Sequence, residues 1–181
     1  MIDAKIVVDS SANMAGEPHV SSVPLKIITD RKEYVDDAKL NTTEMVWQLQ
    51  TYNGPSSTAC LSPQDWLDAF EGKPYVFCIA ITSGLSGSYN AAAIAAREYK
   101  ELHPNRRIHV FDSLTAGPEM TLVAEKIKEL VQQKLPFEKI VSMVEEYNLK
   151  TQLVFSLESL HNLAANGRVP AVVAKATGIL G

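Results

Sequence analysis

The sequence predicts an α/β fold with a mostly parallel central sheet flanked by helices. Segment 75–82 is a continuous apolar run, which is typical of a strand buried on both faces of a parallel sheet. Apolar residues then recur at helical spacing from Tyr89 to Tyr99, and segment 107–112 has the pattern of the next strand. We therefore expect a strand–helix–strand unit with a right-handed crossover.

The remaining elements follow from apolar patterns and from capping signals. Further strands are expected at 5–9, 23–29 and 153–155, while 31–37 could be a short edge strand or a turn. The turn-rich segment 51–58 breaks a helix that starts at Asn41. Other helices are expected after the Ser62-Pro63 cap, over the stripes 120–131 and 137–144, and over 156–168 with its end at Asn166-Gly167.

The composition of the 181 residues is ordinary for a soluble globular chain, with 46% hydrophobic and 21% charged residues. A net charge of −4 provides no basic field that would recruit nucleic acid. No apolar run approaches the ~20 residues of a membrane span, and the apolar patch at the start is too short for a signal peptide. We therefore expect a cytoplasmic protein without a stable membrane anchor or a nucleic-acid partner.

The cysteines and histidines do not follow a metal-binding pattern. Cys60 and Cys78 lie far apart, without a CxxC motif and without paired histidines, so neither a metal site nor another cofactor is expected. Both cysteines are expected to be buried, reduced thiols.

The stretch ITSGLSGSYNAA at 81–92 lies between the buried strand and the helix that follows it. Four hydroxyl side chains and two glycines occur from Thr82 to Ser88, without a lysine or an arginine. Ligands of parallel sheets bind beyond the carboxyl ends of the strands, and helix N-termini with hydroxyl donors favour anions. Because GxxxxGK[ST] and GxGxxG are both absent, a carboxylate fits this neutral cradle better than a triphosphate.

Each of these residues also has a purely structural interpretation. A serine after a strand is an ordinary helix N-cap, and Asp9 and Asp112 could simply hold loop amides at the strand ends. Single positions leave both interpretations open. Only the whole loop from Thr82 to Ser88 favours an anion site.

Motifs along almost the whole chain, in order, resemble those of the DegV family, the fatty-acid-binding proteins of bacterial fatty acid kinase systems. The most specific match is 81–92, which is similar to ISSxLSGTYxSA. The other matches are the DST-type turn at 8–11, the VPL and Y-x-D pattern at 23–25 and 34–36, TSQPSP at 58–63, the v-x-DS turn at 110–113, and L-x-x-G-GRI at 163–169.

The resemblance implies that the protein binds one long-chain fatty acid and presents its carboxyl group to a separate kinase subunit, which forms the acyl phosphate. Position by position, the carboxylate-holding residues of the family fall on Thr58 and Ser83, and Ser86 and the amides from Gly84 to Gly87 could assist. The kinase is expected to dock near the carboxylate, with Arg168 as the candidate contact. The protein itself would not be an enzyme and would have no catalytic residue.

The chain departs from the family pattern in the TSQP loop, where Cys60 and Leu61 replace the glutamine and the proline. Family members also carry a second domain that helps to enclose the acyl chain. We therefore expect a DegV-like domain at 1–150 and the start of a truncated second domain at 151–181. If the chain is complete, one wall of the acyl site would be open to water, and binding would be weak.

Two other functional classes remain open on sequence grounds. A serine-dependent acyl hydrolase could use Ser83 or Ser86 as its nucleophile, although segment 84–88 is not G-x-S-x-G. Such an enzyme needs a base, for which His161 is the only plausible histidine. The second alternative is a structural or regulatory module without a ligand.

Overall fold

A computed structural model describes residues 3–52 and 54–154, together with residues 156 and 167. The strands are β1 (Ala4–Asp9), β2 (Val20–Val23), β3 (Lys26–Thr29), β4 (Glu33–Val35), β5 (Ser56–Ala59), β6 (Tyr75–Ala80) and β7 (Arg107–Asp112). The helices are α1 (Thr42–Gln50), α2 (Pro63–Phe70), α3 (Ser88–Leu102), α4 (Pro118–Gln132) and α5 (Phe137–Asn148), and a 3-10 turn covers Ser10–Ala12.

Four strands form a parallel sheet in the order β2-β1-β6-β7. The predicted α/β fold, with a mostly parallel sheet and flanking helices, is confirmed. The strands expected at 5–9 and 107–112 are confirmed as β1 and β7, and the strand expected at 75–82 ends two residues early, at Ala80. Because β6 lies between β1 and β7 and is buried from Val76 to Ala80, its apolar sequence is unbroken.

Three strands form a separate antiparallel sheet in the order β4-β3-β5. The prediction of one strand over 23–29 is wrong, because the chain leaves the parallel sheet with β2 and enters the second sheet with β3. Pro24 has no amide hydrogen, and Leu25 N donates to Ser10 Oγ (3.0 Å) instead of to a strand. These two residues therefore form the corner between the sheets.

The turn-rich segment 51–58 contains most of a strand that the sequence did not predict. β5 pairs antiparallel with β3, so that Thr58 lies opposite Ile27. Ser56 and Ser57 have no strong strand preference, so pairing with β3 rather than local propensity forms this strand. For 31–37, the edge-strand interpretation is correct, since β4 pairs with the other side of β3.

The capping signals predict the helix starts correctly. Asn41 accepts a hydrogen bond from Glu44 N (3.1 Å) at the start of α1. At α2, Ser62 Oγ accepts from Asp65 N (3.2 Å) while Asp65 Oδ2 accepts from Ser62 N (2.8 Å), which completes a capping box. α3 starts at Ser88, one residue before the predicted start.

The strand predicted over 153–155 is wrong in its described part. Leu153 and Val154 are not in a strand, and Val154 is 89% exposed. An apolar run this short does not form a strand without a paired neighbour. Residue 155 and most of the helix predicted over 156–168 lie outside the described residues, although Gly167 has the positive φ (70°) expected of its cap.

Two hydrophobic layers cover the two faces of the parallel sheet. The layer that includes α4 and α5 contains the buried residues Ile6, Val8, Ala12, Met14, Phe77, Ile79, Phe111, Met120, Val123, Ala124, Ile127, Leu130, Ile140 and Val144. The layer that includes α2 and α3 contains Val7, Val23, Leu61, Trp66, Phe70, Val76, Cys78, Ala80, Ala91, Ala92, Ala95, Ala96, Tyr99 and Ile108. Within the described part of the chain, none of the helices has the length and apolar character needed to cross a bilayer.

Candidate functional site

The segment 81–87, called the 81–87 loop below, connects the carboxyl end of β6 to the start of α3. Both ends of this connection are held by Asp9, the last residue of β1. Asp9 Oδ2 accepts hydrogen bonds from Ile81 N (2.7 Å) and from Ser88 Oγ (3.3 Å). The predicted structural role of Asp9, the holding of a loop amide at the strand ends, is confirmed.

Asp9 is a carboxylate that the fold buries completely. Its second oxygen, Oδ1, accepts from Ser11 N (3.2 Å) and from the Ser11 hydroxyl. Burial raises the pKa of Asp9, and the hydrogen bonds from Ser11, Ile81 and Ser88 offset that rise only in part. All these donors are uncharged, so dipoles rather than a cation balance the carboxylate.

Three of the four amides that were expected to line an anion cradle, from Gly84 to Gly87, have acceptors inside the 81–87 loop. Gly84 N donates to Thr82 Oγ1 (3.3 Å), and Leu85 N and Ser86 N donate to Thr82 O (3.0 and 3.2 Å). These three amides therefore close the turn, and the expectation that the amides from Gly84 to Gly87 assist a ligand stays a prediction. The surroundings of Gly84 are open, since a Cβ there would meet only Thr82 Oγ1, at 3.7 Å. A ligand could therefore approach the backbone at this position.

Ser83 and Ser86 have different surroundings. Ser83 is exposed, and its backbone is fixed because Ser83 N donates to Asp112 Oδ1 (3.1 Å). Ser86 is half-buried, and its Oγ accepts from Ser88 N (3.2 Å) at the start of α3. Ser86 therefore closes a side-chain turn just before Gly87, the N-cap residue of α3, whereas Ser83 is an exposed side chain on a backbone held by Asp112.

Thr58 lies on β5 and is also exposed. The residues after β5 pack against the 81–87 loop, since a Cβ placed on Gly87 would lie 3.5 Å from Cys60 Sγ. The segments that carry Thr58 and Ser83 are therefore neighbours.

The prediction of two buried thiols is correct for Cys78 and wrong for Cys60, because the second sheet carries Cys60 out of the core to an exposed position.

Buried polar side chains that were not predicted from the sequence support the loop from the β7 side. Thr82 N donates to Thr115 O (2.9 Å), and Thr115 Oγ1 donates to the buried Glu119 Oε2 (2.7 Å). Asn148 Nδ2 donates to Asp112 O (2.8 Å), which adds a link to the end of α5. One sequence signal for this support was present: Glu119 directly follows Pro118 and lies in the first turn of α4, where an acidic residue is favourable.

Two residues singled out from the sequence, Arg168 and His161, lie outside the described residues. Two of the described histidines are engaged elsewhere: His103 Nε2 lies 2.8 Å from Glu71 Oε1, and His109 Nε2 lies 3.3 Å from Glu145 Oε1. Over residues 3–52 and 54–154, side chains capable of holding a metal ion do not gather in groups of three or more.

Curated proteins similar to this chain include several from streptococci. A DegV domain-containing protein of Streptococcus pneumoniae is 40% identical over 182 residues, which cover 97% of this chain and 65% of the relative. One from Streptococcus gordonii is 38% identical over 181 residues, with 97% and 64% coverage. The chain thus spans about 65% of the length of the curated relatives it matches.

Solved structures with the same fold contain fatty acids. A DegV family protein from Eubacterium eligens, loaded with heptadecanoic acid, has a TM-score of 0.91 at 39% identity and covers 98% of this chain and 65% of its own. The Streptococcus pneumoniae Fatty Acid Kinase (Fak) B3 protein, loaded with linoleic acid, also has a TM-score of 0.91 at 39% identity, with 96% and 64% coverage. The family described as "Uncharacterised protein, DegV family" matches residues 3–181. This chain therefore belongs to the DegV family.

Proposed function

We propose that this chain is part of a cytoplasmic protein that binds a long-chain fatty acid and presents its carboxyl group to a separate kinase subunit for acyl-phosphate formation. Thr58 and Ser83 hold the carboxyl group. Ser86 supports the loop beside them, and Gly84 leaves room for the ligand to approach the backbone. The chain binds and presents the acid, and the kinase performs the chemistry.

The observation that carries this proposal is the meeting of two hydroxyl-bearing segments beside the carboxyl ends of β1, β6 and β7. Cys60, two residues after Thr58, packs against Gly87 of the loop that carries Ser83. Ligands of parallel sheets bind at this edge. The proteins with 39% identity and the same fold hold heptadecanoic acid and linoleic acid, which supports a fatty acid as the ligand here.

The chemistry of the two side chains suits a carboxylate. Hydroxyl groups on a fixed backbone donate charge-assisted hydrogen bonds, which are short and strong, without the need for a counter-charge. The backbone of Ser83 is fixed by its bond to Asp112. The acyl chain would add about 0.8 kcal/mol for each methylene group that it buries, and a second domain beyond residue 150 would supply part of that burial.

Presentation to a kinase requires an accessible carboxyl oxygen, because the phosphoryl group must reach it. Thr58, Ser83 and Gly84 are all exposed in the described structure, so this edge of the molecule is open to a partner. We propose Arg168 as the contact with the kinase. The Arg168→Ala variant should then form less acyl phosphate with the cognate kinase and ATP, and an unchanged rate would contradict this contact.

The serine-hydrolase alternative gains no support from the loop. An oxyanion hole requires amides aimed at the ligand, whereas the amides of Gly84, Leu85 and Ser86 donate to Thr82. The ligand-free alternative is tested by lipid extraction and mass spectrometry of the purified protein. A recovered fatty acid in one-to-one ratio would support the proposal.

The decisive test is the affinity for hexadecanoic acid of Ser83→Ala and Thr58→Val. A hydrogen bond to a charged group contributes roughly 1.5–3 kcal/mol, so each variant should bind about 10- to 150-fold more weakly. Ser57→Ala is the matched control, because neighbouring side chains of a strand point to opposite faces. If both site variants lose stability but keep the wild-type affinity, the carboxylate assignment is wrong.

A further inference from the structure

We propose that Asp9 is the positioning residue of the fatty-acid site: its carboxylate holds both ends of the 81–87 loop and so sets where Ser83 meets the ligand. This inference rests on the proposed function. Asp9 is 0% exposed, so it acts on a ligand only through the loop that it holds.

The geometry behind this inference is the convergence of both loop ends on one oxygen atom. Ile81 N, at the end of β6, and Ser88 Oγ, in the first turn of α3, both donate to Asp9 Oδ2 (2.7 and 3.3 Å). The residues between these two donors include the exposed Ser83. One acceptor atom therefore fixes the distance that the loop must span.

A carboxylate is the side chain that suits this arrangement. Asp9 accepts from two donors at Oδ2, and from Ser11 N and the Ser11 hydroxyl at Oδ1. An asparagine of the same shape has one oxygen, and its NH₂ group would face a backbone N–H in either orientation, that of Ile81 or that of Ser11, whereas a serine hydroxyl can turn to accept from it. Asp9→Asn therefore leaves the amides of Ile81 and Ser11 competing for one acceptor, with almost no change in volume.

The burial of Asp9 opposes stability, so we look for another use of the arrangement. A buried carboxylate loses its hydration, and only neutral donors replace it here. Fully satisfied buried networks of this kind fix a unique local geometry. A ligand site benefits from such rigidity, because its donors must stay within about 0.5 Å of the productive position.

The first experiment compares two ligands in the wild type and in Asp9→Asn, by calorimetry on the full chain. Hexadecanoic acid should bind at least about tenfold more weakly to the variant, because displaced donors lose their charge-assisted bonds. Hexadecan-1-ol has the same chain without the charged group, so its affinity should change by less than about threefold. An equal loss for both ligands would mean a general structural role and would overturn the inference.

Ser11→Ala is the matched control. It removes the hydroxyl that donates to Asp9 Oδ1 and leaves the two contacts at Oδ2 in place. Its affinity for hexadecanoic acid should stay within about twofold of the wild type, even where its stability falls. Ser88→Ala removes one Oδ2 contact and should weaken binding of the acid, and its effect should not add to that of Asp9→Asn.

Hydrogen exchange of the 81–87 loop separates this inference from the proposed function. Asp9→Asn should speed exchange in the loop while β6 stays protected, and Ser11→Ala should not. If the loop exchanges at the wild-type rate in Asp9→Asn, or if this variant binds hexadecanoic acid as tightly as the wild type, Asp9 does not position the site. If the wild type itself binds no fatty acid, the proposed function and the ligand part of this inference both fail, and the exchange rates still decide whether Asp9 holds the loop.

Discussion

The two faces of the parallel sheet are packed by different kinds of side chain. On one face, α4 and α5 bury large aliphatic residues such as Ile127, Leu130 and Ile140. On the other face, α3 buries a row of alanines, and the bulk comes from Trp66 and Phe70 of α2 and from Tyr99 near the end of α3. Small side chains allow a helix axis to lie closer to its neighbour than large ones do.

This difference bears on the candidate site because α3 starts directly after the 81–87 loop. Ser88 Oγ in the first turn of α3 donates to Asp9 at the end of β1, so the position of α3 on the sheet and the position of the loop are linked. The face covered by α4 and α5 contributes mainly buried apolar area, and it supports the loop through Glu119 and Asn148 at the helix ends. We infer that the packing of α3 positions the site, whereas the aliphatic contacts of α4 and α5 stabilise the fold.

The reactivity of the two thiols tests how tightly the α3 face is packed. Burial raises the pKa of Cys78 well above its usual range, and the nearby Asp9 carboxylate adds to this rise. Cys60 is exposed. With an aromatic disulfide reagent, Cys78 should react about 100-fold or more slowly than Cys60, because it reacts only in opened molecules. Comparable rates in the native protein would mean that the α3 face is loosely packed.

A cavity on the opposite face should reduce stability without affecting the site. Ile127 is fully buried among the aliphatic residues of the α4–α5 face. Ile127→Ala should lower the free energy of unfolding by about 2–5 kcal/mol, measured by urea denaturation. The folded variant should bind hexadecanoic acid as tightly as the wild type, and a large loss of affinity would show that this face also positions the site.

A larger side chain on the α3 face should lower both the stability of the fold and the affinity for the ligand. Ala92 is fully buried against the sheet, so Ala92→Leu should cost about 1–3 kcal/mol through overpacking. Because the side chain pushes α3 and its first turn outward, we also expect weaker binding of hexadecanoic acid by calorimetry. Ala93→Leu is the control, since Ala93 is only half-buried; equal affinities in the two variants would contradict the positioning role of α3.

The smallest change in the free energy of unfolding is expected for a substitution in the connection between α4 and α5. Lys134 is exposed and has a positive φ of 59°, which is strained for a lysine. Lys134→Gly should raise the free energy of unfolding by about 0.5–1 kcal/mol, because glycine adopts this conformation without strain. The change should appear in urea denaturation and leave ligand affinity unaltered, since the site lies at the other end of the sheet. A destabilised variant would show that the lysine side chain has a role of its own.

The elements that were predicted correctly are those whose sequence patterns lie within a few neighbouring residues. β1, β6 and β7 have apolar runs, and Asn41 and Ser62 bond to residues three positions away, so a short window of sequence contains the information. The same holds for the 81–87 loop, whose place after a buried strand follows from the pattern. The roles of Thr58, Ser83, Ser86, Gly84 and Arg168 in ligand and kinase binding stay predictions.

The fold class, the order of most elements and the edge of the sheet where a site was expected all follow from the sequence alone. The tertiary structure decided the contacts between distant residues. It divided 23–29 between two sheets, formed β5 by pairing with β3, and exposed Cys60. It also gave Asp9 its partners Ile81 and Ser88, which lie 72 and 79 residues further along the chain. Local propensity cannot indicate such contacts, because they form only when the packed sheet brings the ends of separate strands together.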